Sequence, residues 1–301
     1  MTMSRAQIQK ELIPGLHALF GLEYKKYENE HTEIYETLSS NRSFEEETKL
    51  AGFSTAWVKP EGSAVQYDSG GEVWTARYNH ETIAMAFAIT QEAQEDNLYA
   101  SLSARYTKAM AKSMAYTKQV KAMAPINNGF SAFTVGDGQP LFSTAHPTRS
   151  GRTNSNTQSV AADLSETALE NAIIQMAAWV DERGLLINAR PKKLIVGPTN
   201  QFNALRILSS ELRSGTADND ANALRKMSAI PGGYSVNHFL TDPDSYFIVT
   251  DVRDGMKHFQ RVALQTGDEG DFETGNMKYK ARERYVFGCT DPLGMWGSAG
   301  A

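Results

Sequence analysis

The sequence predicts an α+β fold from three observations. A two-residue alternation at Ile83, Met85, Phe87 and Ile89 marks a strand. Within a few residues it gives way to a run from Gln91 to Met123 that contains neither Gly nor Pro and reads as one helix. Later, an apolar-faced helix, the buried-strand run Leu194-Ile195-Val196 and a second short helix follow one another, as in a small α/β domain. At roughly 1.5 Å per residue the long helix would reach about 50 Å, more than the diameter of a compact domain of this size. A thin plate completed by neighbours accommodates such a helix better than an ordinary globular enzyme does.

The elements follow in order. Arg5 and Lys10 precede an apolar patch from Leu12 to Leu22, but Pro14 and His17 interrupt it and Glu23-Tyr24-Lys25-Lys26 offers no cleavage site, so it is not a signal peptide. With Leu12, Leu16, Leu19 and Phe20 at helical spacing it reads as an amphipathic arm that docks on another surface. The arm ends in Glu45-Glu46-Glu47, read as solvated surface or as partners for basic residues of another subunit. From Leu50 to Tyr78, Gly52, Pro60, Gly62, Gly70 and Gly71 punctuate the β-prone pieces Phe53 to Val58 and Glu72 to Tyr78, which predicts a protruding two-stranded loop. Its Trp57, Tyr67, Trp74 and Tyr78 are either anchors for another subunit or pairs across the hairpin. In the next strand Ala84, Ala86 and Ala88 form a second, close-packed face. On the long helix Leu98, Leu102, Tyr106, Met110 and Met114 recur every four residues, joined by Val120 and Met123, and these are read as core; the helix stops before Pro125 and Gly129.

Residues 130–159 are polar and turn-rich and read as surface loop. Asp163 with Glu166 marks a helix start, Leu169, Ile173, Met176 and Val180 form its apolar face, and Gly184 ends it. Gly197-Pro198-Thr199 leads into a short helix carrying Phe202, Leu205 and Leu208. A loop from Arg213 to Asn222 precedes β-prone segments at Phe247 to Val249, Val262 to Leu264 and Arg284 to Phe287, and the chain ends in a glycine-rich tail.

The 301 residues are 41% hydrophobic with a formal net charge of -5, and no run of Lys and Arg is interleaved with aromatics as a tight nucleic-acid groove requires. The single cysteine, Cys289, can form neither an intrachain disulfide nor a thiolate cluster, which fits a cytoplasmic folding compartment. No apolar stretch approaches the roughly 20 residues that span a bilayer. His146, before Pro147, is the most tempting catalyst, but no nucleophile or orienting group accompanies it and it reads as a residue bonding its own loop. Cys289 reads as a small buried hydrophobe. Asp218, Asp220 and Asn222 resemble a calcium-loop opening, but Ala223 and Ala229 stand where that loop needs Gly and Glu. Asp268, Glu269, Asp271 and Glu273 are solvated surface, with a weak cation site as the alternative. Gly136-Asp137-Gly138 is a turn and not a dinucleotide fingerprint. No catalytic, cofactor or metal residue is assigned.

Two stretches are recognisable: Ile89-Thr90-Gln91-Glu92-Ala93-Gln94-Glu95-Asp96-Asn97-Leu98-Tyr99, and Asn128-Gly129-Phe130 followed by Asp137-Gly138-Gln139-Pro140-Leu141-Phe142-Ser143-Thr144-Ala145-His146-Pro147. Together they resemble the major head subunit of Mu-like tailed bacteriophages and prophages, and Asp291 to Ala301 resembles the ending of related capsid subunits. The resemblance covers most of the chain from Phe53 onward. It implies the Hong Kong 97-type capsid fold: an N-terminal arm (1–49), an extended loop (50–82), a peripheral domain (83–161) with a spine helix (91–123), an axial domain (162–250), and a return to the peripheral domain with a tail (251–301). Asp218 to Asn222 would then lie near the capsomer axis.

The same resemblance implies a subunit of hexamers and pentamers that tile an icosahedral head around double-stranded DNA, assembled in the bacterial host's cytoplasm, with a portal at one vertex and a decoration protein as a further possible partner. Neither a membrane nor sequence-specific DNA binding is expected. Only residues 1–49 precede the loop, so a separate scaffold and an uncleaved subunit are expected. Lys59 is available for the covalent cross-linking some members perform, but no Asn partner is identified. The expected contacts with neighbouring subunits are Leu12, Leu16, Phe20, Trp57, Lys59, Tyr67 and Trp74. The rival readings are an encapsulin-like compartment and a soluble enzyme using His146 or Cys289.

Overall fold

The computed structural model describes residues 18–26, 29–90, 92, 99–212, 221–271 and 273–301. Two four-stranded sheets organise it. In the first, β1 (Glu36–Ser39) pairs in parallel with β10 (Met256–Gly270), which pairs antiparallel with β11 (Met277–Cys289), and β11 pairs antiparallel with β4 (Glu81–Ile89). A helix at residues 18–26 (α1) and the long helix α2 (Tyr99–Asn127) pack on this sheet. Phe20, Met110 and Met114 from the helices meet Tyr279 and Ala281 of β11, with Ile83 and Phe87 against them.

The second sheet runs β12 (Met295–Ser298), β9 (Tyr246–Thr250), β7 (Pro191–Val196), β8 (Tyr234–Val236). Its period-2 alternation separates two cores. Leu194, Val196, Tyr246 and Ile248 face α3 (Glu166–Ala177) and α4 (Gln201–Ser209), whereas Ile195 and Phe247 join Met123, Ile126, Leu141 and Phe142. The C-terminal end of α2 is therefore the joint between the two sheets.

Several elements differ from their sequence reading. α2 continues through Pro125 to Asn127, because Met123 and Ile126 are fully buried and Asn128 N still donates to Ala124 O at 3.1 Å; packing outweighs the one bond the proline removes. At its other end, residues 93–98 lie outside the described residues, as does most of the expected helix start. Tyr106 is 54% exposed and not core, and Val120 is also exposed. Ala84, Ala86 and Ala88 are exposed, so the close-packed face expected of β4 is open in the single subunit; Met85, on the other face with Ile83 and Phe87, is also exposed.

Ser165, not Asp163, caps α3, accepting from Ala168 N at 3.2 Å. That helix ends at Ala177 because Asn154 engages both backbone groups of Val180, at 3.0 and 2.7 Å, and Gly184 instead sits at φ +86 in the tight turn after it. On α4 the buried positions are Ala204 and Ile207, while Phe202 and Leu205 are exposed. The stretch 130–159, expected as surface, buries Val135, Leu141, Phe142, His146, Asn154 and Asn156, the first three in the core shared by the two sheets. Among the described residues no helix is long and apolar enough to cross a membrane.

Candidate assembly surface

A hairpin stands off this body. β2 (Phe44–Ala51) pairs antiparallel with β3 (Gly71–Asn79), from Phe44 opposite Asn79 to Ala51 opposite Gly71. The strand expected at Phe53 to Val58 is absent; the first strand instead begins earlier and contains Glu45 to Glu47. Residues 52–70 form the projecting tip, turning where Ser63 N donates to Pro60 O at 3.2 Å and Gly62 adopts φ +78. Phe53, Trp57, Val58, Val65 and Tyr67 are exposed there, Tyr67 to 96% and Val58 to 94%.

The root is the reverse of the tip. Lys49 Nζ lies 2.8 Å from Asp291 Oδ2 and 3.3 Å from Glu182 Oε1, beside the Trp74 ring at 4.5 Å. Lys257 Nζ donates to both oxygens of Glu47, at 2.6 and 2.5 Å, and to Asp254 Oδ1 at 2.7 Å. Burial disfavours each ammonium, but the facing carboxylates outweigh it and both lysine pKa values are raised. Thr290 Oγ1 donates to Glu47 at 2.7 Å and accepts from the Tyr78 hydroxyl, while Trp74 Nε1 donates to Thr290 O at 3.2 Å. The acidic run thus finds its partners within its own chain, Glu46 pairing loosely with Arg77 at 3.7 Å and Glu45 accepting from Ser40 at 2.7 Å.

One link joins tip to body. Asp68 accepts from the Ser54 hydroxyl and amide, both at 2.7 Å, and from Arg183 Nη2 at 2.6 Å. These bonds, the Ser54 hydroxyl foremost, hold its carboxyl well below the usual carboxylate range.

Of the expected contact residues, Trp57, Lys59 and Tyr67 lie exposed together on the tip. Trp74 does not: its indole lies over Gly136, where a Cβ would overlap it, and it belongs to the root. Phe20 is 1% exposed within its own chain's core and has no surface left for a neighbour. Leu12 and Leu16 lie outside the described residues, as do Asp218 and Asp220; Asn222 caps a short helix. Asp268 to Glu273 sit at the β10–β11 turn, where Asp271 binds Lys278 at 2.8 Å, and among the described residues no three such side chains converge on a metal-sized site. The lysines, Glu182, Thr290 and Asp291 of the root were not singled out from sequence, since their partners stand more than a hundred residues away and carry no local pattern.

The two tempting catalysts are structural. His146 is buried, with Nδ1 2.6 Å from Asp137 Oδ2 and Nε2 3.1 Å from Asn156 Oδ1, so neither ring nitrogen is left for a substrate. Asn156 in turn donates to the carbonyls of Leu141, Pro292 and Met295 and ties this loop to the C-terminal segment. Burial pushes the Cys289 thiol well above its usual pKa, and it donates to Asp291 O at 3.2 Å.

The architecture of hairpin, long helix and second sheet recurs in solved capsid shells. The chain is similar to the capsid subunit of cyanophage P-SCSP1u, with a TM-score of 0.56 and 11% identity over 89% of this chain and 86% of that one. It is similar to the virus-like particle from Pyrococcus furiosus, with a TM-score of 0.54 and 10% identity over 96% and 99%. It is also similar to the capsid of the native GTA particle, with a TM-score of 0.53 and 12% identity over 91% of each chain. No curated protein sequence matches it. The family model described as phage capsid protein matches residues 73–297, from the second strand of the hairpin to the last strand of the second sheet. The chain therefore belongs to the phage capsid protein family, and its fold is the Hong Kong 97-type fold of head subunits.

Proposed function

We infer that this capsid protein tiles an icosahedral head in hexamers and pentamers around double-stranded DNA, with residues 52–70 lying on the neighbouring subunit. The observation that carries this reading is the hairpin itself: a root closed by ion pairs within the chain and a tip of large apolar side chains that the chain leaves uncovered. Many modest contacts of this kind, repeated over a closed symmetric shell, supply stability that no single interface needs to provide. The division into arm, extended loop, peripheral domain, axial domain and tail given above is the working description of this subunit. The exposed Phe202 and Leu205 then suit contacts around the capsomer axis. A scaffold made as a separate protein, a portal, a decoration protein and assembly in the host cytoplasm belong to this reading, as does the narrower kinship with Mu-like phages.

Electron microscopy of the purified protein, expressed alone and with its neighbouring phage genes, tests it. Closed shells or regular capsomers are expected, and particle diameter then constrains the triangulation number. A monomer or small oligomer in both preparations would overturn the reading.

A further inference from the structure

The first sheet ends in β4, nine residues whose strand partner among the described residues is β11 alone. From Thr82 to Ala88 one row of its backbone N–H and C=O groups therefore has no described ladder to join. An edge of this kind is a template for a further strand, and folded chains usually blunt it. The other described edges of this molecule are blunted. β1 is four residues long and β8 three, and the four residues of β12 are all buried. Both hairpin strands carry charge, as at Glu46, Lys49, Glu72 and Arg77. Beyond its pairing with β1, β10 shifts register at Gln260–Val262 and Val262–Gln265 and carries Arg261, Asp268 and Glu269. β4 has none of these devices. It pairs with β11 over nine consecutive positions without a shift, and from Thr82 to Ile89 it contains no charged residue, proline or glycine.

Its side chains lack cover as well. Ile83, Met85 and Phe87 alternate with Ala84, Ala86 and Ala88, an apolar run of the kind that strands enclosed on both faces carry, yet the three alanines are exposed and Met85 is 44% exposed. Tyr106 of α2, its ring 6.0 Å from that of Phe87, is open beside them. The strand is complementary to itself. Laid antiparallel against a second copy about Met85, it sets Ala84 opposite Ala86, Ile83 opposite Phe87 and Thr82 opposite Ala88, so each face keeps its own kind of side chain and no two charges meet. Glu81, already paired with Lys121, falls at the two far ends. Such a pair is related by a two-fold axis perpendicular to the sheet. Both copies then keep their helices on one side and Lys280 and Arg282 on the other, as a wall with two distinct faces requires, whichever of them is the inner one.

We propose that two copies of this chain join through β4, strand against antiparallel strand centred on Met85, so that two four-stranded sheets become one of eight across a two-fold axis. This rests on the capsid reading given above and adds to it a contact separate from the hairpin tip. Neighbouring capsomers of a closed icosahedral shell meet across two-folds, and a strand pair there supplies backbone hydrogen bonds along its whole length. The register carries the specificity, because a slip of one residue sets the alanine row against the bulky row.

Single cysteines in the full chain test it, since the one native thiol, Cys289, is buried. M85C places two thiols opposite each other across the axis, where paired Cβ atoms stand about 4.5–5.5 Å apart, near enough for a disulfide. A88C, also at an exposed position, places them about 20 Å apart. Under mild oxidation M85C should give roughly tenfold more disulfide-linked dimer than A88C, while A88C subunits co-assembled with T82C subunits should cross-link as M85C does. Circular dichroism establishes that each variant is folded. A second pair reads the same contact by charge: A84K/A86K sets like charges opposite each other and should lower the yield of shells, whereas A84K/A86E sets opposite charges there and should restore it. Shells that close without the M85C link overturn the pairing and leave the capsid reading intact. The link formed by subunits that never close, with a scaffold supplied, overturns the capsid reading and leaves the pairing; absence of both overturns both. Equal linking at M85C and A88C also overturns the pairing. So does a photoreactive group attached at M85C that captures residues 1–17 or a different protein in closed shells, since that would be the partner of the strand.

Discussion

The two ends of the hairpin follow opposite rules. At the root nearly every polar group has a partner within the chain, Lys257 is buried and Lys49 half-buried, and strands far apart in sequence are tied by charge-assisted bonds. At the tip Phe53, Trp57, Val58, Val65 and Tyr67 are apolar or aromatic and all exposed. The root determines where the hairpin points, and the tip is left for a surface that the chain does not itself contain. A subunit built this way can fold alone and still be incomplete, as a shell component must be.

At neutral pH the largest effect on the subunit is expected from opening the root. Lys257→Met leaves Glu47 and Asp254 without their shared ammonium; because Glu47 is 24% and Asp254 64% exposed, water takes up part of the loss, and the cost is about 2–3 kcal/mol, below that of a fully buried pair. Chemical denaturation of the unassembled subunit should show that loss. A change under about 1 kcal/mol would mean that the root is solvated, and its contrast with the tip would disappear.

The next effect comes from acid, where the turn at residues 30–33 packs on β10 and β11. His31 and His258 lie edge to face at 5.5 Å against Phe287, and His31 Nδ1 and His258 Nε2 have no partner among the described residues. Burial first, and the Lys118 charge second, lower His31 to about 4; burial, Lys118 and His31 lower His258 to about 3. An unfolded histidine titrates near 6.5, so above that pH both states are neutral and the contribution is complete. As pH falls from about 6.5 toward 4 the unfolded chain takes up protons that the folded chain refuses, and stability falls, by about 3 kcal/mol from His31 alone. Glu283, whose pKa burial raises, works in the opposite direction at the acid end of this window. Denaturation midpoints measured between pH 7 and pH 4.5 should decline in the wild type and decline less in His31→Phe. Parallel curves would show that His31 and His258 are open to water.

A smaller effect is expected at Gly136, whose lack of a Cβ lets the Trp74 indole lie flat on the turn. Gly136→Ala should cost about 1–3 kcal/mol, as overpacking does, and should shift Trp74 fluorescence. Unaltered fluorescence and stability would mean that Trp74 is free to move, and the sequence reading of it as an anchor would return.

These residues also mark how far the sequence could be read. The long helix, the protruding loop and the α/β character of the second sheet were legible because each rests on local periodicity or turn chemistry, as at Ile83 to Ile89 and Leu194 to Val196. The ends of elements were less so. Asn154 stops α3 from 26 residues away, and buried Ile126 carries α2 past a proline. The root was invisible, because Lys49 meets Glu182 and Asp291, and Lys257 meets Glu47, only after the chain has folded. Exposure misled in both directions: Trp57, Tyr67 and Trp74 are alike as sequence, and only packing shows that the third is enclosed by its own chain while the first two are not.

The smallest effect on the subunit is expected at the tip, and it has the largest consequence for the shell. Trp57 and Tyr67 are 52% and 96% exposed. Trp57→Ala with Tyr67→Ala should therefore change the unfolding free energy of the isolated subunit by no more than about 0.5 kcal/mol, the range of ordinary surface substitutions. The same pair of aromatic side chains, if buried by a neighbour, would act as interface anchors worth about 2 kcal/mol or more each. Multiplied over every contact of a closed shell, that loss should leave capsomers or free subunits where the wild type closes. Electron microscopy and sedimentation of the double variant check this directly. Normal shells from a normally stable subunit would remove the tip from assembly, and the uncovered apolar side chains of residues 52–70 would then need a partner other than a second copy of this chain.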